Sequence, residues 1–464
     1  MRWARLSSQM SNFDLATDNL WQLPWGDSRV DLSPPTGLVR HSGQFLPDLT
    51  GAFSSHEQYA AELNAALDFP MDQPRLENRI GPGTRVAIVV DDPSRWSPLR
   101  QCLPIVLGRL LQSGVDRSHI SISFGVGRHA AVTAADMRQK LGDEIVQNYV
   151  CHSPPVDDLS AYEELGISAD GVPVRVFSPV AKADLRILVG SVLPHLQAGF
   201  GGGWKLIFPG CSHRTTLGAI HQQGLDGNAA ALLGTSPNEN PMRQAISRAA
   251  KLLPGGTISI SHVIGRNSNE IFAVSAGEPD MVALKNASEA RRRFRWPGIS
   301  QGALPELVIV GNSPWPGDPM HSFKTLLNHR SACKPGGVLA GVFWTDPAEL
   351  GRSFPVGAAR SIARSGRAGA LATRFGLPLA EKIATWSGSS KRFMMRWARE
   401  LVLDRTVIVY SPEMQQMFGS RLGSVFIAGS CDEFWKLIKK NYRNEIESVM
   451  VFPYGGLSYA ESGF

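Results

Sequence analysis

Short β-branched runs that stop at a polar residue or a glycine, each followed by residues at helical spacing, recur along this chain and dictate a layered α/β fold. Arg85–Val90 (RVAIVV) halts at Asp91-Asp92, which suits a buried strand with a polar carboxyl-terminal edge. Leu99, Cys102, Val106 and Leu110 then fall on one helical face, and Gly114 closes that segment. His119–Phe124 (HISISF) predicts a second strand and Ala183–Gly190 a third. Between them, Thr133-x-x-Asp136 reads as a variant capping box opening a helix to about Val146. Strand and helix alternate, as parallel α/β layers require. After a turn-rich stretch around Trp296-Pro297-Gly298, Leu307–Gly311 restarts the alternation. Val338–Phe343, Thr406–Tyr410, Ser424–Ala428 and Val449–Phe452 are predicted strands, and Asp432, Phe434, Leu437 and Ile438 mark a last helix.

This pattern predicts two Rossmann-like α/β domains, over residues 53–296 and 304–464, with a ligand cleft between them. Residues 1–52 read as a tail and an irregular segment. The last residues are free in this scheme to pack back on the first domain. No apolar run approaches the roughly 18 residues of a membrane span. Met1 to Asn12 lacks the apolar core of a secretory signal. The 5 cysteines are scattered and never spaced as CxxC, which argues against a disulfide scaffold and a structural zinc site and fits a reducing, cytoplasmic setting. Net charge is a mild +6. The one dense basic cluster, Arg291-Arg292-Arg293-Phe294-Arg295 beside Trp296, reads as a solvated helix end rather than a grip on nucleic acid.

Four stretches carry chemistry. Asp92-Pro93-Ser94-Arg95 offers a carboxylate and a guanidinium on a tight turn, suited to hydroxyl, phosphate or carboxylate ligands; the plain alternative is an Asp-Pro turn with an internal ion pair. Gly125-Val126-Gly127-Arg128-His129-Ala130 is a weak G-x-G-x-x-A fingerprint with an imidazole at the strand tip. Pro194-His195 through Lys205 holds Gly199, Gly201, Gly202 and Gly203, whose bare N–H groups suit an anion. It is not a Walker loop, because Trp204 precedes the lysine and Leu206 stands where a magnesium-binding hydroxyl would be. Pro209-Gly210-Cys211-Ser212-His213 leads on to His221. No HExxH pair accompanies these histidines. His152 and His213 read as structural.

Taken in order, these blocks resemble the lactate racemase family. Asp92-Pro93-Ser94-Arg95-Trp96-Ser97-Pro98 resembles its D-x-T-R-P-x-P block, and Gly127-Arg128-His129-Ala130-Ala131-Val132-Thr133 its G-x-H-R-x-x-T block. Pro194-His195 to Lys205 is similar to P-H-x-x-A-G-x-x-G-G-x-K, and Pro209-Gly210 to His221 to a P-G stretch ending in histidine. The likeness runs from about residue 80 to 345.

The resemblance implies a cofactor, the nickel-pincer nucleotide: a nickel pyridinium-3,5-bisthiocarboxylic acid mononucleotide. It implies that Lys205 joins one arm as a thioamide and that His221 is the protein ligand to nickel. His129 and His195 would be the acid/base pair. Asp92 and Arg95 would contact nucleotide or substrate, and Gly199, Gly201, Gly202 and Gly203 the cofactor phosphate. The implied reaction is inversion at C2 of a 2-hydroxy acid by proton-coupled hydride transfer, which avoids a carbanion. The residues 53–296 would bind cofactor, and 304–464 would contribute to the substrate pocket. Implied partners are the small-molecule substrate and cofactor-biosynthesis proteins, with neither nucleic acid nor membrane; a homodimer is compatible.

Departures bear on the substrate. Ala130 stands where the family block has Arg, Ser94 replaces Thr, and Trp96 replaces Pro. The family's Tyr-Gln pair is absent, and Trp315-Pro316-Gly317-Asp318 is followed by His321 and Lys324 as substitute carboxylate binders. The expected substrate is therefore a 2-hydroxy acid other than lactate. Two rival readings remain: a nicotinamide-dependent oxidoreductase using Gly125–Ala130, and a non-catalytic nickel-cofactor carrier. The first needs an acidic residue ending a second strand, which neither Asp143-Glu144 nor Asp157-Asp158 supplies convincingly. Retention of both His129 and His195 opposes the second.

Overall fold

The computed structural model describes residues 13–14, 21–225, 232–298, 304–315, 317, 319–347, 356–386, 392–442 and 444–461. It divides into two compact units, Leu49–Arg293 and the paired stretches Met1–Asp48 and Phe294–Phe464.

In the Leu49–Arg293 unit a six-stranded sheet runs Ile271–Gly277, Gly256–Ile264, Leu185–Val192, Val86–Asp91, Ile120–Gly125, Val150–His152. Only the first pair is antiparallel. Both central strands are buried along their whole length, as a parallel sheet covered by helices on two faces requires. Alternate residues face opposite layers. Ile88, Val90 and Val189 pack with Leu103 and Leu110 of helix Leu99–Gln112. Val89 and Leu188 pack on the other side with Ile246 of helix Pro241–Ala250. Arg186 interrupts the apolar run, yet it is buried, donating to the carbonyls of Val180 (3.2 Å), Ala183 (3.1 Å) and Gly256 (3.1 Å). Burial pulls its guanidinium down to about 10.

Strand register positions the motifs. Val90 is level with Val189 on one side and Phe124 on the other. The loops after Asp91, Gly125 and Val192 therefore leave one edge of the sheet side by side, where ligands of open α/β sheets bind. The capping box forms as expected, Thr133 and Asp136 satisfying each other's backbone N–H. The helix that follows stops at Leu141, short of Val146, because Gly142 takes φ +94° and a new helix starts at Asp143.

The other unit holds a sheet ordered Phe13–Asp14, Val39–Phe45, Ile446–Phe452, Leu307–Gly311, Val338–Val342, Thr406–Tyr410, Val425–Ala428, Arg421–Leu422. Its inner neighbours are parallel and its two edges antiparallel. The irregular segment expected up to residue 52 is corrected here. Gln22–Trp25 and Ser28–Asp31 form a hairpin, and Val39–Phe45 lies parallel to Ile446–Phe452. V-R-H-S-G-Q-F has weak strand propensity, and a partner strand remote in sequence imposes the pairing. Tyr459–Ala460 pairs with Arg295–Trp296 inside this unit. Trp296 is fully buried and Arg295 pairs with Glu461 (2.6 Å). Arg292 and Arg293 pair with Glu289 (2.8 and 2.6 Å). The basic cluster is thus engaged internally.

Two buried histidines make stability depend on pH. His262 donates from Nδ1 to Gly190 O (3.0 Å) and accepts at Nε2 from Tyr59 OH (2.9 Å). His329 donates from Nδ1 to Thr325 O (2.8 Å) and accepts from Ser458 Oγ (2.9 Å). Burial drives each imidazole down to about 4. The unfolded chain binds protons first, so stabilisation present above roughly pH 6.5 is lost as pH falls toward 4. From pH 7 to 5 each histidine is expected to cost its own unit about 2 kcal/mol. Urea midpoints at the two pH values measure this, and His329→Gln should remove its share; an unchanged midpoint between pH 7 and 5 refutes the assignment.

Candidate functional site

The first loop is a carboxylate turn. Asp92 Oδ1 accepts the Ser94 N–H (2.8 Å), and the Arg95 N–H donates to Asp92 O (3.0 Å), the self-bonded turn that Asp favours. Asp92 Oδ2 lies 3.1 Å from His129 Nδ1. Burial raises the Asp92 pKa, but His129, Arg95 and the Ser94 contact outweigh it and hold the carboxyl well below the usual range. An ionised Asp92 selects the Nδ1–H tautomer of His129 and leaves Nε2 with the lone pair. Asp91 beside it is pushed up by burial, opposed by Lys140 (3.4 Å) and a hydrogen bond from Ser97. Lys140 also donates to Arg95 O, so it braces this turn from helix Ala134–Leu141. Trp96 donates from Nε1 to Gly265 O (2.7 Å).

His195 sits in a tight hairpin, Pro194–His195 against Gly199–Phe200. Its Nδ1 accepts the N–H groups of Gln197 (3.2 Å) and Ala198 (3.0 Å). A neutral imidazole accepting at Nδ1 carries its proton on Nε2. That Nε2 lies 3.3 Å from Lys205 Nζ. A hydrogen bond between them has the amine as acceptor, and only an unprotonated amine can accept.

The glycine loop differs from expectation in what it presents. Buried Arg243 donates to Gly202 O (2.9 Å), Phe200 O (2.7 Å) and Gly201 O. The Gly201 N–H donates to Leu193 O (2.8 Å) and the Phe200 N–H to Ala198 O (2.7 Å). The loop's carbonyls are therefore gathered on a guanidinium, and its Gly201 N–H is engaged within the chain, which leaves Gly202 and Gly203 for the reading below. Both have positive φ (+76° and +60°). Gly199 is obligatory for space: at φ +70° an added Cβ would sit 2.2 Å from Thr235 O.

His221 lies on helix Arg214–Gln222, whose first turn is capped by His213 accepting the Thr215 N–H (3.3 Å). His221 Nδ1 donates to Leu217 O (2.8 Å), which leaves Nε2 as the lone-pair nitrogen, the arrangement typical of a metal-ligating histidine. The buried Gln197 side chain donates to His221 O (2.8 Å) and Gln223 O (2.9 Å). Asn240 in turn donates to Gln197 O (2.9 Å). The hairpin bearing His195 is thus tied to the end of the helix bearing His221. His129 joins through backbone, since the Gly127 N–H donates to Gly210 O (2.9 Å) and the Gly210 N–H to Lys205 O (3.2 Å).

Gly125 of the weak fingerprint and Gly210 of the Pro-Gly block serve packing. A Cβ at Gly125 would lie 2.8 Å from Leu206 O, and one at Gly210 2.1 Å from the same atom. Strand Val150–His152 ends in a histidine, not the carboxylate that a dinucleotide site needs. His152 lies edge-on to Phe177 (5.5 Å). Among the described residues no group of three or more His, Cys, Asp or Glu could hold a metal. His321 and Lys324 lie on helix Pro319–His329 of the other unit, with buried His321 stacked on Trp315 (4.5 Å, 22°). Pro316 and Asp318 of the expected turn fall outside the described residues. Sequence reading missed Gln197, Arg243, Asn240 and Lys140. A lone amide within P-H-L-Q-A-G-F was a usable signal for the first; the others lie far along the chain with no motif around them.

Comparison with known proteins is consistent across three lines. Residues 46–232 match the model of the lactate racemase N-terminal domain. The lactate racemase of Thermoanaerobacterium thermosaccharolyticum is 26% identical over 323 residues, 68% of this chain and 72% of that protein. The lactate racemase of Lactiplantibacillus plantarum is 28% identical over 192 residues, 41% of this chain and 45% of that protein. The apoprotein structure of the Thermoanaerobacterium enzyme superimposes with TM-score 0.76 at 20% identity, covering 95% of this chain and 99% of that one. A Thermotoga maritima crystal structure follows at TM-score 0.65 and 14% identity, covering 90% and 100%. Residues 46–232 thus match the lactate racemase N-terminal domain, and the fold of the chain is the one that a lactate racemase apoprotein has.

Proposed function

We propose that this chain is an isomerase that inverts C2 of a 2-hydroxy acid with the help of a nickel-pincer nucleotide. The observation that carries the reading is the contact between His195 Nε2 and Lys205 Nζ (3.3 Å). With His195 Nδ1 taken up by backbone N–H groups, Nε2 faces the Lys205 amine, the group that a cofactor arm would acylate. The residues fit the group in a second respect. His221 offers an oriented Nε2 as one ligand, and nickel would take its further donors from the organic ligand. When bound, the nucleotide supplies a hydride acceptor, so configuration is lost at a planar 2-keto acid.

The chain's own residues handle protons and position. His129, with Nδ1 toward Asp92, presents Nε2 as a base for the substrate hydroxyl. His195 presents Nε2–H as a donor to the same oxygen once it is a carbonyl. The pair begins in opposite tautomers, which suits one group that takes a proton and one that stabilises oxygen. Arg95, on the Asp92 turn, is the proposed carboxylate contact. Glycine-loop residues Gly202 and Gly203 are assigned to the cofactor phosphate. The Tyr-Gln pair of the family pattern is absent from this sequence, in which Trp315 stacks on His321, so the substrate proposed is a 2-hydroxy acid other than lactate. Its supply of cofactor would come from separate biosynthetic proteins.

The test uses protein purified from a host that makes the cofactor. One nickel per chain and a mass increment on Lys205 are expected by metal analysis and peptide mass spectrometry. Absence of both from such a host overturns the reading, and absence of the increment alone removes the covalent link.

A further inference from the structure

Helices Val356–Arg364, Gly366–Leu371, Leu377–Trp386 and Arg392–Val402 lie between strands Val338–Val342 and Thr406–Tyr410. From Gly366 to Trp386 the helical backbone is continuous, with one π-helical stretch, Ala372–Gly376. Its polarity is inverted. Leu371, Phe375, Leu379, Ile383 and Trp386 recur every third or fourth residue, the spacing of one helical face. They are 59%, 69%, 60%, 55% and 91% exposed. On the opposite side Glu381 is 6% exposed and held by Arg396 (3.2 Å) and Arg399 (3.0 Å). A helix folding against water alone would place these residues the other way round. The exposed row is about 20 Å long, a contiguous apolar feature of the kind that marks an interaction surface.

Charge identifies the partner. Residues 356–402 contain nine basic and two acidic side chains, while the whole chain nets only +6. Exposed Arg360, Arg364 and Lys382 belong to this set. We propose that this face docks on an anionic lipid surface, with the apolar row in the acyl boundary and exposed Arg360, Arg364 and Lys382 at the headgroups. An apolar face bordered by Lys and Arg, with an exposed Trp, is the composition of an interfacial helix. A bilayer also asks for no directional hydrogen bonds, and this row offers none. A second copy of the chain would bring the same positive charge and be repelled. No helix among the described residues is long and apolar enough to cross a membrane, so the contact is peripheral.

Flotation of the full chain with vesicles tests this. Phosphatidylcholine containing phosphatidylglycerol should carry the protein at low salt, and pure phosphatidylcholine should not; raising the salt should release it. Leu379→Ser with Trp386→Ser should weaken the binding about tenfold or more, with circular dichroism unchanged. Should that pair disturb folding, Arg360→Gln with Arg364→Gln should lower binding through charge alone. No binding to anionic vesicles, or equal binding by both variant pairs, overturns the proposal. So does a solution dimer that Trp386→Ser converts to monomer, since that assigns the row to a second copy.

Discussion

His195→Ala is expected to lower the rate of C2 inversion by about 10²–10⁴ and, separately, to change the chemistry of Lys205. In the wild-type chain Nε2 faces the Lys205 amine from 3.3 Å while the N–H groups of Gln197 and Ala198 occupy Nδ1. Removing the ring removes the imidazole that contacts the amine. Labelling of Lys205 in cofactor-free protein by an amine-directed acylating reagent at neutral pH should therefore fall, most steeply at low pH. This second measurement needs neither substrate nor nickel. An unchanged labelling profile would show that the 3.3 Å contact does not set the state of the amine, whatever happens to turnover. His195→Gln keeps an oxygen for the two backbone N–H groups and should restore the hairpin without restoring the rate.

His221→Ala is expected to weaken nickel retention by about 100-fold or more in protein made with the cofactor, beyond the 10–100-fold effect of losing a group behind a ligand. The hydrogen bond from Nδ1 to Leu217 O fixes which nitrogen is presented, so no other tautomer competes. Gly218 and Ala219 on the same helix cannot substitute as donors. Metal analysis after gel filtration reads the loss. The Lys205 mass increment should survive, because the amine does not depend on His221. Nickel retained at one per chain would reassign the ligand.

Val86–Asp91, Ile120–Gly125 and Leu185–Val192 were legible as dense β-branched runs bounded by turn residues, whereas Val150–His152, Gly256–Ile264 and Ile271–Gly277 of the same sheet were not read as strands. Leu307–Gly311 and Thr406–Tyr410 match the observed strands residue for residue. Val39–Phe45 was not legible, since its partner Ile446–Phe452 lies at the far end of the chain and pairing rather than propensity makes it a strand. The motif glycines were visible but their reasons were not. Gly125 read as part of a weak dinucleotide fingerprint, and the structure uses it, with Gly210, to let Leu206 approach.

What sequence alone determined was the inventory: a parallel α/β scaffold, a carboxylate turn, three histidines and a lysine placed after strand ends, and the family they point to. These follow from local chemistry, because strand, turn and cap preferences act over a few residues. Only the tertiary structure decided the state of each group. Asp92 sets the tautomer of His129, backbone N–H groups set that of His195, Arg243 turns the glycine-loop carbonyls inward, and Gln197 ties two loops together. Proton positions depend on which donor lies within about 3 Å, and no spacing along a chain encodes that distance.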